Sequence, residues 1–133
     1  MTPEQISLVQ HSFQKVLPIA DQAAALFYER LFAIDPSAKA LFHNDMREQG
    51  RKLMGMLHLA VEGLNSLEKI VPTLEAMGVR HASYGVTDGQ YESVGAALLW
   101  TLEQGLGPAF TPEVKDAWAA TYTLLADTMR RAA

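Results

Sequence analysis

The sequence predicts an all-α protein, and three observations predict it. Apolar residues recur at helical spacing along most of the chain, and no strand-like alternation competes. Thr2-Pro3, Asp35-Pro36 and Thr111-Pro112 each place a capping side chain before a proline suited to the first helical position. The segments between the periodic runs are short, with no low-complexity linker and no internal repeat.

Thr2-Pro3-Glu4-Gln5 reads as an N-cap, a proline at N1 and a capping-box glutamine. Ile6, Val9, Phe13, Val16 and Leu17 then recur on one helical face. Asp21, after Pro18, marks the next boundary, and Ala23, Ala24, Phe27, Tyr28 and Leu31 form a second face. Asp35-Pro36 opens a short third helix that ends near Leu41-Phe42. His43 to Glu48 reads as a polar connector. A long helix follows, with Gln49, Leu53, Met56, Leu57 and Ala60 as its stripe. Asn65-Ser66 can cap the next, in which Ile70, Leu74, Met77 and His81 share a face. Gly85 to Gly89 is loop, with Thr87 or Asp88 as the following cap. Tyr91, Val94, Leu98 and Leu102 line a helix that stops around Gly105-Leu106-Gly107-Pro108. Thr111-Pro112-Glu113 starts the last helix, which carries Val114, Trp118, Thr121, Leu125 and Thr128 or Met129. The count is about six or seven helices in one domain over residues 1–133. They form either a bundle or helices crossing at ~50° around a prosthetic group.

Composition narrows the chemistry. There is no cysteine, which removes disulfides, thiolate zinc sites, iron–sulfur clusters and cysteine nucleophiles. Fifteen acids against 11 bases give a formal charge of −4, with no basic block, so nucleic acid is not the expected partner. Apolar runs are short and broken by charges, so no membrane span is expected. Met1-Thr2-Pro3-Glu4-Gln5 lacks the basic start of a secretory signal, and a cytoplasmic location is the expectation.

Polar residues on apolar faces carry the functional information. His81 falls one turn after Met77, Gln49 heads the Leu53 and Met56 stripe, and Tyr28 sits beside Phe27. Each has an ordinary reading: a hydrogen-bonded core histidine, a solvent-facing glutamine, a packed tyrosine ring with a wet hydroxyl. Burying all three unpaired would cost on the order of 1–3 kcal/mol each. A metal facing two hydrogen-bond donors would satisfy them together. The other histidines fit poorly, since His11 and His58 lie off the inward stripes and His43 is in the connector. No two histidines share a helix at i, i+3 or i+4, which argues against a multidentate zinc or di-metal site. A lone histidine can hold iron where a macrocycle supplies the remaining ligands, as haem does.

These motifs resemble a bacterial globin, namely the haem domain of flavohaemoglobins and the related single-domain haemoglobins. The resemblance runs from Pro3 to Met129. Phe27-Tyr28-Glu29-Arg30-Leu31-Phe32 is similar to the family's second helix, with Tyr28 at the distal tyrosine position. Asp35-Pro36 through Leu41-Phe42 is similar to the third, with Phe42 as the ring that packs flat on haem. Gln49-Gly50-Arg51-Lys52-Leu53 is similar to the start of the fifth, with Gln49 at the distal gate and Leu53 over the iron. Arg80-His81, Tyr84 and Gln90-Tyr91-Glu92-Ser93-Val94-Gly95 together match the proximal region. Asp116-Ala117-Trp118 and Tyr122 match the last helix.

The resemblance implies a globin fold of six to eight helices around a haem b pocket. His81 is then the iron ligand, and Phe42, Lys52, Leu53, Met77, Arg80, Tyr84, Val86, Tyr91 and Val94 touch the cofactor. Tyr91 is expected to hydrogen-bond near His81 and orient it, with plain helix packing as the alternative. Lys52, His43 and Arg80 are candidates for the haem propionates. Tyr28 and Gln49 can both donate to bound dioxygen, which implies tight binding and slow release. The expected partners are dioxygen, nitric oxide and a separate reductase. That reductase is needed because the flavin- and NAD-binding part of flavohaemoglobins has no counterpart here and no Gly-x-Gly-x-x-Gly occurs. A second departure is a late glutamate, which the family joins to the proximal histidine and tyrosine. Its place aligns near Ala133, and no glutamate follows Glu113. Three functions remain in view: nitric oxide dioxygenation with electrons supplied in trans, oxygen scavenging or storage, and gas sensing. A haem-free helical adaptor is the outlying fourth.

Overall fold

The computed structural model describes residues 1–43 and 45–133. Among them are six α-helices: α1 (Pro3–Val16), α2 (Ala20–Ile34), α3 (Met46–Glu62), α4 (Leu67–Ser83), α5 (Asp88–Leu106) and α6 (Pro112–Ala132). Short 3₁₀ turns occupy Leu17–Ile19, Pro36–Leu41, Gly63–Asn65 and Gly107–Ala109.

The helix starts follow capping chemistry. Thr2 accepts from the Gln5 backbone N–H while the Gln5 side chain accepts from the Thr2 N–H, a complete capping box. Thr87 and Gln90 repeat it for α5, and Thr111 caps α6 ahead of Pro112. Gly107, at φ +54°, ends α5 in a conformation that suits glycine.

Four local expectations change. Asp21 does not cap α2: the chain turns through the 3₁₀ segment Leu17–Ile19, Ile19 holds the N-cap position without a side-chain bond, and Asp21 falls inside the first turn of α2. There its charge complements the helix dipole. The third helix is a 3₁₀ turn rather than an α-helix. The polar connector is shorter than His43–Glu48, because Asp45 caps α3 from the Arg47 N–H; Asn44, within it, lies outside the described residues. Ser66 holds the N-cap position of α4 without a side-chain cap bond.

Asp35 also works differently from a cap. Its carboxylate accepts from the Ser37 hydroxyl and from Ser93 Oγ at 2.8 Å, which ties the 3₁₀ turn to α5. The Ser37 bond, then the Ser93 bond, hold its pKa below the usual carboxylate value. Since the folded pKa is depressed, the stabilisation is present above the unfolded pKa and fades as pH falls through the folded one. Denaturant midpoints should therefore drop more steeply on acidification for the wild type than for Asp35→Asn. Parallel midpoint–pH curves would remove Asp35 from the acid response.

The core gathers where α1, α2, α5 and α6 meet. Trp118, fully buried, packs on Phe13 with ring centroids 6.1 Å apart and donates from Nε1 to Ser12 Oγ at 2.8 Å. Ser12 in turn donates to the Val9 carbonyl, so this buried polar pair is satisfied. The α4–α6 contact depends on Gly78: a Cβ there would stand 2.0 Å from the Met129 carbonyl oxygen. Backbone cannot yield as a side-chain tip can. Gly78→Ala should destabilise the fold by about 1–3 kcal/mol through overpacking. Chemical denaturation checks it, and an unchanged midpoint would mean the helices separate freely.

No described helix is long and apolar enough to cross a membrane.

Candidate functional site

The last turn of α4 presents His81 to a cleft between α3, α4, α5 and α6. Its Nδ1 lies 2.7 Å from the Met77 carbonyl oxygen, one turn back. A carbonyl can only accept, so Nδ1 carries the proton and donates. That leaves the Nε2 lone pair available, and no described protein group hydrogen-bonds to it. The tautomer that ligates a metal through Nε2 is thus set by backbone.

The cleft is a cavity of about 160 Å³, or about 770 Å³ with the open space at its mouth. Its wall is almost wholly apolar. Leu53, Met56 and Leu57 come from α3, Leu74 and Met77 from α4, Val94 and Leu98 from α5, Leu125 and Met129 from α6. Val86 closes one side from the loop before α5, and Gln90, Tyr91 and Tyr122 add the few polar tips.

Tyr28 and Gln49 come together on the α2–α3 side. Tyr28 is buried, with its ring among Phe27 at 5.0 Å, Phe42 at 5.2 Å and Phe32 at 6.0 Å. Its hydroxyl donates to the Gln49 backbone carbonyl at 3.5 Å, a long and weak bond. Burial raises the phenol's pKa, and the Gln49 side chain offsets part of that rise. The hydroxyl is therefore a protonated donor at neutral pH. Neither residue forms part of the cavity wall itself. Phe27, the chain neighbour of Tyr28, and Leu53, one turn beyond Gln49, do so instead.

Of the residues expected at the cofactor, Leu53, Met77, His81, Val86, Tyr91 and Val94 line the cavity. Phe42 packs against Tyr28 and Phe32 rather than on the wall. Lys52, Arg80 and His43 are exposed, and Tyr84 is 65% exposed. For Lys52 and Arg80 helix direction explains this: they adjoin the lining residues Leu53 and His81, and adjacent helical positions point about 100° apart.

The expected hydrogen bond between Tyr91 and His81 is replaced by ring stacking, with centroids 6.2 Å apart and planes at 29°. Nδ1 is already committed to Met77, and the Tyr91 ring meets the imidazole by contact alone. The Tyr91 backbone is itself held, because the Tyr122 hydroxyl donates to its carbonyl at 2.5 Å. Burial pushes the Tyr122 phenol strongly upward. Tyr122 reaches Tyr91 across Gly95, where a Cβ would stand 2.7 Å from the Tyr122 ring. Sequence reasoning missed Tyr122, Gln90 and Ala126 altogether as pocket residues, and it put Phe27, Met56, Leu57, Ala60, Leu74, Leu98, Leu125 and Met129 on inward faces without naming them as cofactor contacts. Tyr122 follows Trp118 by one turn, and that spacing was the available signal.

No three His, Cys, Asp or Glu side chains converge among the described residues, so no all-protein metal cage forms there. A single histidine with an available Nε2 above a flat apolar cleft suits an iron whose other ligands come from a macrocycle. Fold and site together define an all-α protein with an apolar cleft and, on its wall, a histidine whose Nε2 is available to a ligand. The globin family model matches residues 25–129, and the chain belongs to the globin family. It is 33% identical over 104 residues to the flavohemoprotein of Halalkalibacterium halodurans, covering 76% of this chain and 25% of that protein. The flavohemoprotein of Rhizobium meliloti is 35% identical over 104 residues, with 76% and 26% covered. The chain thus spans about a quarter of the length of these relatives. Their similarity, with the globin family, implies that this chain binds haem.

Proposed function

We propose that residues 1–133 form one globin unit that binds haem b and takes up dioxygen reversibly and tightly. The observation that carries the reading is Tyr28 and Gln49 drawn together beside a cavity whose wall holds His81 with Nε2 available. Bound haem would supply an iron with one position open to a diatomic gas. The absence of cysteine leaves no thioether attachment, which favours haem b. His81 holds the iron through Nε2, the Met77 carbonyl fixes its tautomer, and Tyr91 fixes its plane. Leu53, Leu57, Val94 and Leu98 keep water from the gas site. The Tyr28 hydroxyl, whose bond to the Gln49 carbonyl is long and weak, would be free to donate to such a gas, and the Gln49 carboxamide would add a second donor.

Haem titration of the apoprotein tests this directly. A one-to-one endpoint with a Soret band, and after reduction a stable oxygenated spectrum, is the expected result. A protein that takes up no haem overturns it.

A second reading follows from the names of the relatives, which join a flavin to a haem. With electrons from a separate reductase, the chain would consume nitric oxide and dioxygen to give nitrate. Sustained nitric oxide consumption with NADH and a cellular reductase supports it. Negligible re-reduction leaves oxygen scavenging, storage or sensing as the role.

A further inference from the structure

Over the Tyr91 ring the structure places a cation. The Arg130 guanidinium carbon lies 5.0 Å from the Tyr91 ring centroid. Tyr91 in turn stacks on His81. Guanidinium, phenol and imidazole thus form a chain of contacts running from α6 through α5 to α4. Two carboxylates hold the guanidinium at its outer end: Asp127, 3.3 Å away on α6, and Asp88, 4.0 Å away in the first turn of α5. Asp88 is 87% exposed and Asp127 49%, so water screens both more than the guanidinium, at 33%. Burial raises the Tyr91 phenol's pKa, and the Arg130 charge offsets part of that rise.

We propose that Arg130 is a positioning residue that sets the electron-donating power of His81 through Tyr91. It clamps the ring that orients the imidazole, and it puts positive charge behind it. A positive field at this distance favours the reduced state of an iron on His81 and weakens the imidazole as a donor. The proposal rests on the haem-binding reading above. It accounts for a feature that reading leaves unexplained: the only arginine of the last helix turn that reaches inward stacks on the histidine's own neighbour. Its consequence is chemical. A weakly donating proximal histidine suits reversible gas binding and opposes cleavage of a bound oxygen–oxygen bond.

The magnitude follows from the geometry. A unit charge at most roughly 11 Å from the imidazole, at an effective dielectric of about 20–40 that takes in the screening by Asp88, Asp127 and water, changes an equilibrium by about three- to tenfold. At about 59 mV per tenfold for one electron, that is a shift of about 30–60 mV.

The test uses the haem-loaded full chain and Arg130→Gln, Arg130→Met and Arg130→Lys. Spectroelectrochemistry reads the ferric–ferrous midpoint, and resonance Raman reads the iron–histidine stretch of the ferrous form. Arg130→Gln and Arg130→Met should each shift the ferric–ferrous equilibrium about three- to tenfold toward ferric and raise the stretching frequency. Arg130→Lys, which restores the charge, should recover most of the midpoint. Arg130→Met keeps an apolar stem on α6, so it reads the charge even where the glutamine packs badly. Midpoints unchanged in both neutral variants overturn the proposal, as does a lysine variant that behaves like glutamine. Wild-type protein that binds no haem overturns this inference together with the proposed function; haem binding with unmoved midpoints overturns this inference alone.

Discussion

His81→Ala is expected to lower haem affinity by roughly a hundredfold or more, because partners that merely orient such a ligand already contribute 10- to 100-fold. Apolar contact from Leu53, Met77 and Val94 would retain some haem loosely, without an iron bond. The fold itself should survive. The substitution removes one hydrogen bond, from Nδ1 to the Met77 carbonyl, worth about 1 kcal/mol in a half-buried turn. Haem transfer to an excess of an acceptor apoprotein measures the loss. His81→Gly with added imidazole separates ligand loss from damage to the fold, since free imidazole should restore the Soret band. If the alanine variant keeps haem as firmly as the wild type, the iron is held elsewhere and the site assignment falls.

Tyr28→Phe is expected to speed dioxygen release at least tenfold. A hydrogen bond to a charged or polarised acceptor contributes ~1.5–3 kcal/mol, which is roughly ten- to a hundredfold in affinity. The structure makes Tyr28 well suited to this. Its hydroxyl makes only a 3.5 Å bond to Gln49, so turning to a ligand forfeits little. Burial keeps the phenol protonated to higher pH than usual, so the donor persists through the neutral range. Phenylalanine preserves the ring contacts with Phe27, Phe32 and Phe42, and stability should change little. Stopped-flow displacement of dioxygen by carbon monoxide gives the rate. An unchanged rate assigns the stabilisation to Gln49 or to water.

Much of the site was legible in the sequence because its residues sit on periodic faces. His81 shares a stripe with Leu74 and Met77, and all three line the cavity. Leu53 and Val94 were placed by the same reasoning. Exposed neighbours were less legible. Lys52 adjoins Leu53 and Arg80 adjoins His81 in sequence, and both are exposed, where helical spacing does not say what they meet. Phe42, expected on the cofactor, packs with Tyr28 and Phe32 and is not among the residues lining the cavity. It follows a 3₁₀ turn, where the direction of a side chain is poorly fixed by any helical period.

By itself the sequence determined the helices, three of their caps and the candidate pairing of His81 with Tyr28 and Gln49. Those are local properties: capping acts within three residues, and periodicity assigns a face from spacing alone. Only the tertiary structure decided that Met77 takes the Nδ1 proton, that Tyr91 stacks on His81, and that Arg130 covers Tyr91. It also decided that Tyr122 fastens Tyr91 through the space left by Gly95. The last three join different helices, and helical spacing says which face a side chain occupies but not what crosses it. The histidine's hydrogen bond is local, yet its availability as a ligand depends on what the other helices bring, or fail to bring, to Nε2.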